Sequence, residues 1–129
     1  MAHNFRVSKT KIGVQLVKKL EAISFIACGQ SHSLAISSLE ESNEFKQALF
    51  SWGCGTFGQL GRSDLDTSQP DLVVFPEDNL KVVQVSAGPK HTLVLDSNNK
   101  IWYFGHKEGV GVTCMDQLCQ FAPIRLRCS

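Results

Sequence analysis

The chain has 129 residues, of which 43% are apolar and 19% are charged. This length is typical of one domain, and the apolar fraction is sufficient for a buried core. Thirteen Lys and Arg against twelve Asp and Glu leave a formal net charge of +1, which gives no electrostatic support for binding nucleic acid, chromatin or a membrane surface. No apolar run approaches the length of a membrane-spanning helix. The composition therefore indicates a globular domain, or a part of one.

The cysteines indicate the redox environment. They are five in number and irregularly spaced (Cys28, Cys54, Cys114, Cys119 and Cys128), and an odd number is unusual for a secreted disulfide framework. Because no signal-peptide pattern is present either, we expect reduced thiols and a location in the cytosol or the nucleus. Residues 1–20 carry five basic residues and no acidic one, which weakly resembles a transit peptide; a solvated basic strand and turn is the alternative.

The sequence contains an internal repeat. Residues 22–36 align with residues 81–95 at an offset of 59, and residues 49–53 align with residues 101–105 at an offset of 52. The first copy therefore has seven more residues than the second between its aligned segments. Two sequential copies with one insertion predict two units of the same structure.

The repeat divides the chain into three segments. Residues 1–21 form a basic N-terminal segment with at most one strand, near Val14–Val17, which would close the edge of the first unit. The first unit covers residues 22–80. The second covers residues 81–129 and is degenerate at its C-terminal end.

The first unit is predicted to consist of short strands with one long connection. Its insertion, Ser37–Gln47, is expected to be an exposed, mobile hairpin extension, and its residues Glu40, Glu41 and Glu44 form a candidate contact loop. A fourth strand is predicted at Leu72–Phe75.

The second unit repeats this pattern. β-Branched and aromatic residues recur in short runs at residues 82–85, 93–95 and 101–104, and turn signals bound each run. Asp96–Lys100 joins two runs, and its Asn-Asn pair tolerates the positive φ of a tight hairpin. A fourth strand is predicted at Pro123–Leu126. Four short strands per repeat, with glycine and aromatic residues at fixed places, are typical of a propeller blade.

The motif residues resemble the repeat of the regulator of chromosome condensation family. That repeat has Gly-x-x-His followed by a hydrophobic run, and later Trp-Gly and Gly-Gln-Leu-Gly. The matching residues are Gly29, His32, Trp52, Gly53, Gly55, Gly58, Gln59, Leu60 and Gly61 in the first copy, and Gly88, His91, Phe104 and Gly105 in the second. Gly55 stands where the family often has Asn, and the second copy lacks the Gln-Leu. All these residues are expected to have structural roles.

The resemblance implies an all-β fold and a function in binding. The family folds as a seven-bladed β-propeller, so this chain is expected to form a partial propeller of about two four-stranded antiparallel blades plus one N-terminal strand. Closed propellers need more blades than two, so further repeats or other chains are expected to complete the ring. The resemblance favours a non-catalytic protein-interaction module with a protein partner and no cofactor. The alternative is a fragment of a guanine-nucleotide exchange factor for a Ran-type small GTPase.

An enzymatic function is the third hypothesis. Gly53–Gly58 has the Gly-x-Gly-x-x-Gly spacing of a dinucleotide-binding loop, but residues 59–70 lack the helical pattern that such a loop requires. His32 has flanking serines, as in a Ser-His site, yet His91 occupies the same position in the second copy. A residue that recurs in each unit is expected to serve the unit, by hydrogen bonding to backbone at the turn. Substitution of either histidine by Ala is therefore expected to destabilise the chain by similar amounts.

A zinc site is the remaining possibility for chemistry. Its ligands would be Cys114, Cys119, Cys128 and His106, but their spacing matches no established zinc motif, so we predict no metal. Cys28 aligns with Ala87 and is expected to be a small buried residue.

Overall fold

The computed structural model describes residues 22–41, 44–63, 65–107 and 118–126. These residues form the strands β1 (Ile23–Cys28), β2 (His32–Glu41), β3 (Glu44–Cys54), β4 (Asp66–Leu72), β5 (Val82–Ala87), β6 (His91–Asp96), β7 (Ile101–His106) and β8 (Cys119–Leu126). Within these ranges, no helix is long and apolar enough to cross a membrane. The strand predicted near Val14–Val17 lies outside the described residues.

The strands form two sheets of identical topology. The order is β1-β2-β3-β4 in the first sheet, blade 1, and β5-β6-β7-β8 in the second, blade 2, and all neighbours are antiparallel. Irregularities in register also recur: β3 and β4 shift between Ser51 and Gly53, and β7 and β8 shift between Tyr103 and Gly105. The prediction of two four-stranded antiparallel blades is confirmed.

The hydrophobic core lies between the two blades. Side chains point alternately to the two faces of a strand, so Leu34 and Ile36 of β2 face it from one blade and Val94 of β6 faces it from the other. Its buried members are Leu34, Ile36, Leu49, Val73, Leu80, Val82, Val85, Val94, Trp102 and Phe104. The apolar alternation of each repeat therefore serves the contact with a neighbouring blade.

The fourth strand of blade 1 begins and ends earlier than predicted. β4 covers Asp66–Leu72, whereas the prediction was Leu72–Phe75. After Leu72 the chain leaves the sheet, and the Phe75 ring packs edge-on against Trp102 of blade 2, with ring centroids 5.6 Å apart. The apolar run was mistaken for a strand because it contributes to the core between the blades. In blade 2, the predicted Pro123–Leu126 lies within β8.

The insertion lengthens the hairpin of β2 and β3. These strands pair continuously from His32–Gly53 to Glu41–Glu44, whereas β6 and β7 pair only as far as Leu95–Ile101. Ser37, at the start of the predicted exposed segment, is buried, so the extension begins after it. Its mobility stays a prediction. The shorter hairpin has the predicted positive φ at Asn99, 63°.

Candidate functional site at the junction of the blades

The repeated Gly-x-x-His segment forms the same turn in both blades. The Gly29 amide donates a hydrogen bond to the His32 carbonyl oxygen at 2.8 Å, and the Gly88 amide donates to that of His91 at 2.9 Å. Each imidazole lies directly against its glycine, so a Cβ on the glycine would overlap the ring. Only glycine allows this close approach. The pairing of Gly and His in the motif is thus explained by packing.

His32 links the two blades. Its side chain is buried, and its Nε2 lies 2.9 Å from the Thr92 hydroxyl oxygen in β6. The Thr92 hydroxyl donates its single proton to the Gln59 carbonyl oxygen at 2.9 Å, so His32 Nε2–H must be the donor to Thr92. The partner of the ring therefore lies in the other blade, and not at its own turn as predicted. A turn motif does not reveal which blade lies opposite.

The His32 ring is held in its neutral form. Burial, and secondly the neighbouring His91, lower its pKa to about 4, while a backbone hydrogen bond with His91 acts in the opposite direction. Its Nδ1 is buried without a hydrogen-bond partner, so a second proton there would have no acceptor. A ring closed off from solvent in this way is suited to a structural hydrogen bond.

His91 has the same turn but a different environment. Its ring is half-buried and stacks on Tyr103, with ring centroids 6.0 Å apart and an interplanar angle of 26°. Burial lowers its pKa as well. Equivalent positions in the repeat are therefore not equivalent in the structure, because His32 faces a second blade within the described residues and His91 does not.

The glycine loop does not have the structure of a nucleotide site. Gly53 has a φ of 109°, and a Cβ there would lie 2.6 Å from the Ser31 carbonyl oxygen. Two successive turns follow, in which the amide of Gly58 donates to the Gly55 carbonyl oxygen and the amide of Gly61 donates to that of Gly58, both at 3.0 Å. Turns and bends continue to residue 63, where a dinucleotide-binding loop would have opened a helix.

The loop fills the junction between the blades. Gln59 and Leu60 are fully buried, and Gly58 lies so close to β8 that a Cβ would be 2.5 Å from the Gln120 carbonyl oxygen. Together with the bond from Thr92 to Gln59, these contacts attach the loop of blade 1 to blade 2. Gly-Gln-Leu-Gly is therefore an inter-blade connector.

Two equivalent aromatic residues differ in burial, and one prediction about a small side chain needs correction. Phe104 is buried in the core between the blades, but Trp52, its counterpart in the repeat, is only half-buried and lies outside that core. Cys28 is exposed, not buried, because its strand is the edge strand of blade 1 among the described residues.

The proposed zinc ligands are only partly described. His106 and Cys119 are partners in the pairing of β7 with β8. Cys114 and Cys128 lie outside the described residues. In the part of the chain that the structure describes, no group of three His, Cys, Asp or Glu side chains could hold a metal ion.

Sequence reasoning missed the importance of Asp96. Its buried carboxylate accepts hydrogen bonds from Trp102 Nε1 at 2.9 Å and from the amides of Asn98 at 2.8 Å and Lys100 at 3.0 Å. Burial alone would raise the pKa of Asp96, but these bonds and the Lys100 charge lower it overall. An Asp at the start of a polar turn is the available sequence signal, since it can bond to amides two residues on.

The far side of blade 2 carries a second apolar face. Leu93, Leu95 and Ile101 are the repeat counterparts of three core residues of blade 1. Ile101 is 45% exposed, whereas its counterpart Leu49 is 1% exposed. Together with Gln84 these side chains line a shallow cavity of about 180 Å³. The apolar positions that pack blade 1 against blade 2 therefore recur in blade 2, on the face that points away from blade 1. No described blade lies opposite that face.

Comparison with known proteins gives the family. The model of the regulator of chromosome condensation (RCC1) repeat matches residues 47–95. The chain is 29% identical over 107 residues to the ultraviolet-B receptor UVR8 of Arabidopsis thaliana, and 36% identical over 93 residues to the probable E3 ubiquitin-protein ligase HERC3 of Homo sapiens. The chain belongs to the RCC1 repeat family. These alignments cover 83% and 70% of the chain.

Solved structures show the same RCC1 fold. The chain superposes on human WBSCR16 with a TM-score of 0.67 and 24% identity over 81% of its length. It superposes on yeast RCC1 (Prp20), solved bound to Kap60, with a TM-score of 0.61 and 21% identity over 83% of its length. It spans only a fraction of these proteins: 25% and 26% of the two solved chains, 23% of UVR8 and 8% of HERC3. The chain therefore corresponds to part of an RCC1 propeller.

Proposed function

We propose that this chain is a non-catalytic protein-interaction module made of two RCC1 repeat units, residues 22–80 and 81–129, and that it acts within a larger propeller. The observation that supports this most directly is the hydrogen-bond chain from His32 through Thr92 to the Gln59 backbone. It assigns the histidine and the Gly-Gln-Leu-Gly loop to blade packing. The repeat motif is thus used for structure, and the loops between strands are left for binding.

The free face of blade 2 supports the larger propeller. Leu93, Leu95 and Ile101 have the positions that hold blade 1 against blade 2, and a neighbouring blade would cover them in the same way. Exposed apolar faces of this kind mark interaction sites in soluble proteins. Further repeats or another chain would supply that blade, in the cytosol or the nucleus, where exposed Cys28 would stay reduced.

We propose the hairpin end of the blades as the contact surface. This end consists of residues 37–47, 72–82 and 96–101, where the hairpins and the blade-to-blade connection lie. The extended hairpin of the first repeat carries Glu40, Glu41 and Glu44, and the second repeat has no such extension. A loop that is longer than the repeat needs is a common site of binding. A partner of basic character fits this surface.

The experiment is affinity capture followed by cross-linking to locate the contact. Wild-type chain is compared with a variant in which Glu40, Glu41 and Glu44 are changed to Lys, and with a control, Lys90→Glu combined with Lys107→Glu, at the opposite end. We expect the wild type and the control to retain the same partner and the hairpin variant to lose it. Equal retention by all three would contradict the assignment of the surface.

An exchange assay and a ligand-binding measurement separate this proposal from the alternatives. Acceleration of GDP release from a Ran-type GTPase would favour a fragment of an exchange factor, since the fold is also that of yeast RCC1. Native mass spectrometry that found stoichiometric nucleotide or zinc would favour an enzyme. We expect neither result from the 129-residue chain.

A further inference from the structure

A groove lies where β4 separates from β3. Val73, just beyond β4, donates its amide proton to the Leu49 carbonyl oxygen at 2.8 Å, and the chain then crosses to blade 2. β3, however, extends further towards the hairpin tip, to Glu44. The space between Gln47–Leu49 on one side and residues 72–82 on the other is a cavity of about 380 Å³.

The edge of β3 beside this groove has backbone groups that pair with no strand among the described residues. In an antiparallel ladder the N–H and C=O of one residue point to the same neighbour, and successive residues point to opposite neighbours. The backbone N–H and C=O of Leu49 point to the β4 side, so those of Gln47 and Phe45 do as well, whereas those of Ala48 and Lys46 point to β2. Beyond Val73, no described strand pairs with this edge. An unpaired edge of this kind is a template for an added strand.

The groove combines an apolar floor with an acidic rim. Leu49, Val73, Leu80 and Val82 are buried beneath it, and Glu77 and Asp78 stand at its border. By sequence, the hairpin end contains five acidic residues besides buried Asp96 (Glu40, Glu41, Glu44, Glu77 and Asp78) and three basic ones (Lys46, Lys81 and Lys100). Lys100 and Arg125 both lie 3.9 Å from Glu77 and offset its charge. The surroundings remain acidic.

We infer that the edge of β3 at Phe45–Gln47 binds an extended, basic segment of a partner protein as an additional β-strand. Backbone hydrogen bonds to Phe45 and Gln47 hold the segment, one apolar side chain enters the groove, and basic side chains face the acidic surroundings. This inference deepens the proposed interaction role and rests on it. The proposed function gives the charge of the partner, and this inference adds that the bound segment is a β-strand.

The test uses alternately N-methylated peptides. The probe is a fluorescein-labelled peptide of three Lys-Val repeats, titrated with the 129-residue chain and followed by anisotropy. In an added strand every second N–H faces β3, so methylation of one alternate set of amides removes these bonds and methylation of the other set does not. We expect half-saturation below about 1 mM for the parent peptide. We expect at least a ~10-fold loss for one methylated set and less than ~2-fold for the other.

Matched controls test the charge and the site. The corresponding Glu-Val peptide should bind at least ~10-fold more weakly, and Asp78→Lys should weaken binding of the Lys-Val peptide while Lys107→Glu, at the opposite end, leaves it unchanged. Equal effects of the two methylated sets would overturn the strand addition, as would failure of the Lys-Val peptide to bind. Either of these two results could occur while capture of the partner still depended on the hairpin glutamates. Strand addition would then be refuted, and the proposed contact surface would still be supported.

Discussion

Acidification should weaken the junction between the blades through one residue, His32. Burial lowers the pKa of its imidazole from 6.5 to about 4 in the folded chain, and the unfolded chain has no such environment. Between these two values the unfolded state binds a proton that the folded state does not. The contribution of neutral His32 to stability is therefore complete above pH 6.5 and is lost as the pH falls towards 4.

The size of the effect follows from the two pKa values. One pKa unit corresponds to about 1.4 kcal/mol, so a folded-state pKa of about 4 gives a loss of about 2 kcal/mol between pH 7 and pH 4.5. The structural reason is the single hydrogen-bond donor that the site accommodates. Nε2–H has Thr92 as its acceptor, whereas a proton on Nδ1 would be buried without one. This loss is a large fraction of the stability of a typical domain.

The measurement is urea unfolding followed by tryptophan fluorescence at several pH values from 7 to 4.5. The matched variant is His32→Gln, whose side-chain amide can donate to Thr92 but does not titrate. The wild type should lose about 2 kcal/mol more than this variant over the range. Carboxylates and His91 titrate in both proteins and cancel in the difference, apart from the charge interaction between His91 and His32. The same pH dependence in both proteins would refute the assignment of a buried, neutral His32.

Other substitutions test the remaining contacts by the same unfolding assay. His32→Ala should cost about 1–3 kcal/mol and His91→Ala less, because only His32 bonds across the junction in the described residues; equal losses would favour the simple repeat argument. Gly29→Ala should destabilise more than Gly88→Ala, since the half-buried His91 ring can move away from a new Cβ and His32 cannot. Asp96→Ala should cost about 2–3 kcal/mol, and a neutral result would contradict its role in the hairpin. Removal of seven residues from the hairpin extension should barely change Tm; a loss of several kcal/mol would show that it packs into the core.

The agreement between sequence and structure is best at the level of the repeat. Glycine, β-branched and aromatic residues at fixed offsets specify short strands and tight turns, because these residue types act locally on the backbone. The positive φ at Asn99 is an example, since Asn tolerates that conformation. The Gly-x-x-His turn could also be predicted as a structural unit, because it recurs in both copies.

The errors occurred where local pattern and tertiary environment conflict. Residues 73–75 have the composition of a strand, but they leave the sheet to fill the space between the blades, and periodicity cannot distinguish these two uses. Cys28 aligns with a half-buried Ala, yet it is exposed at a sheet edge. Trp52 and Phe104 have one position in the repeat and different burial, because the neighbours of the two blades differ.

The sequence by itself determined the number of repeats, the strand content, the turns and the family, since all of these follow from residue types at short range. The tertiary structure alone decided what each repeated residue contacts. His32 and His91 have the same motif and the same turn, but His32 donates to Thr92 of the next blade and is buried, while His91 stays half-exposed. The open edge of β3 likewise depends on where β4 turns away from it. Such features depend on which surfaces meet in space, and a linear pattern does not contain that information.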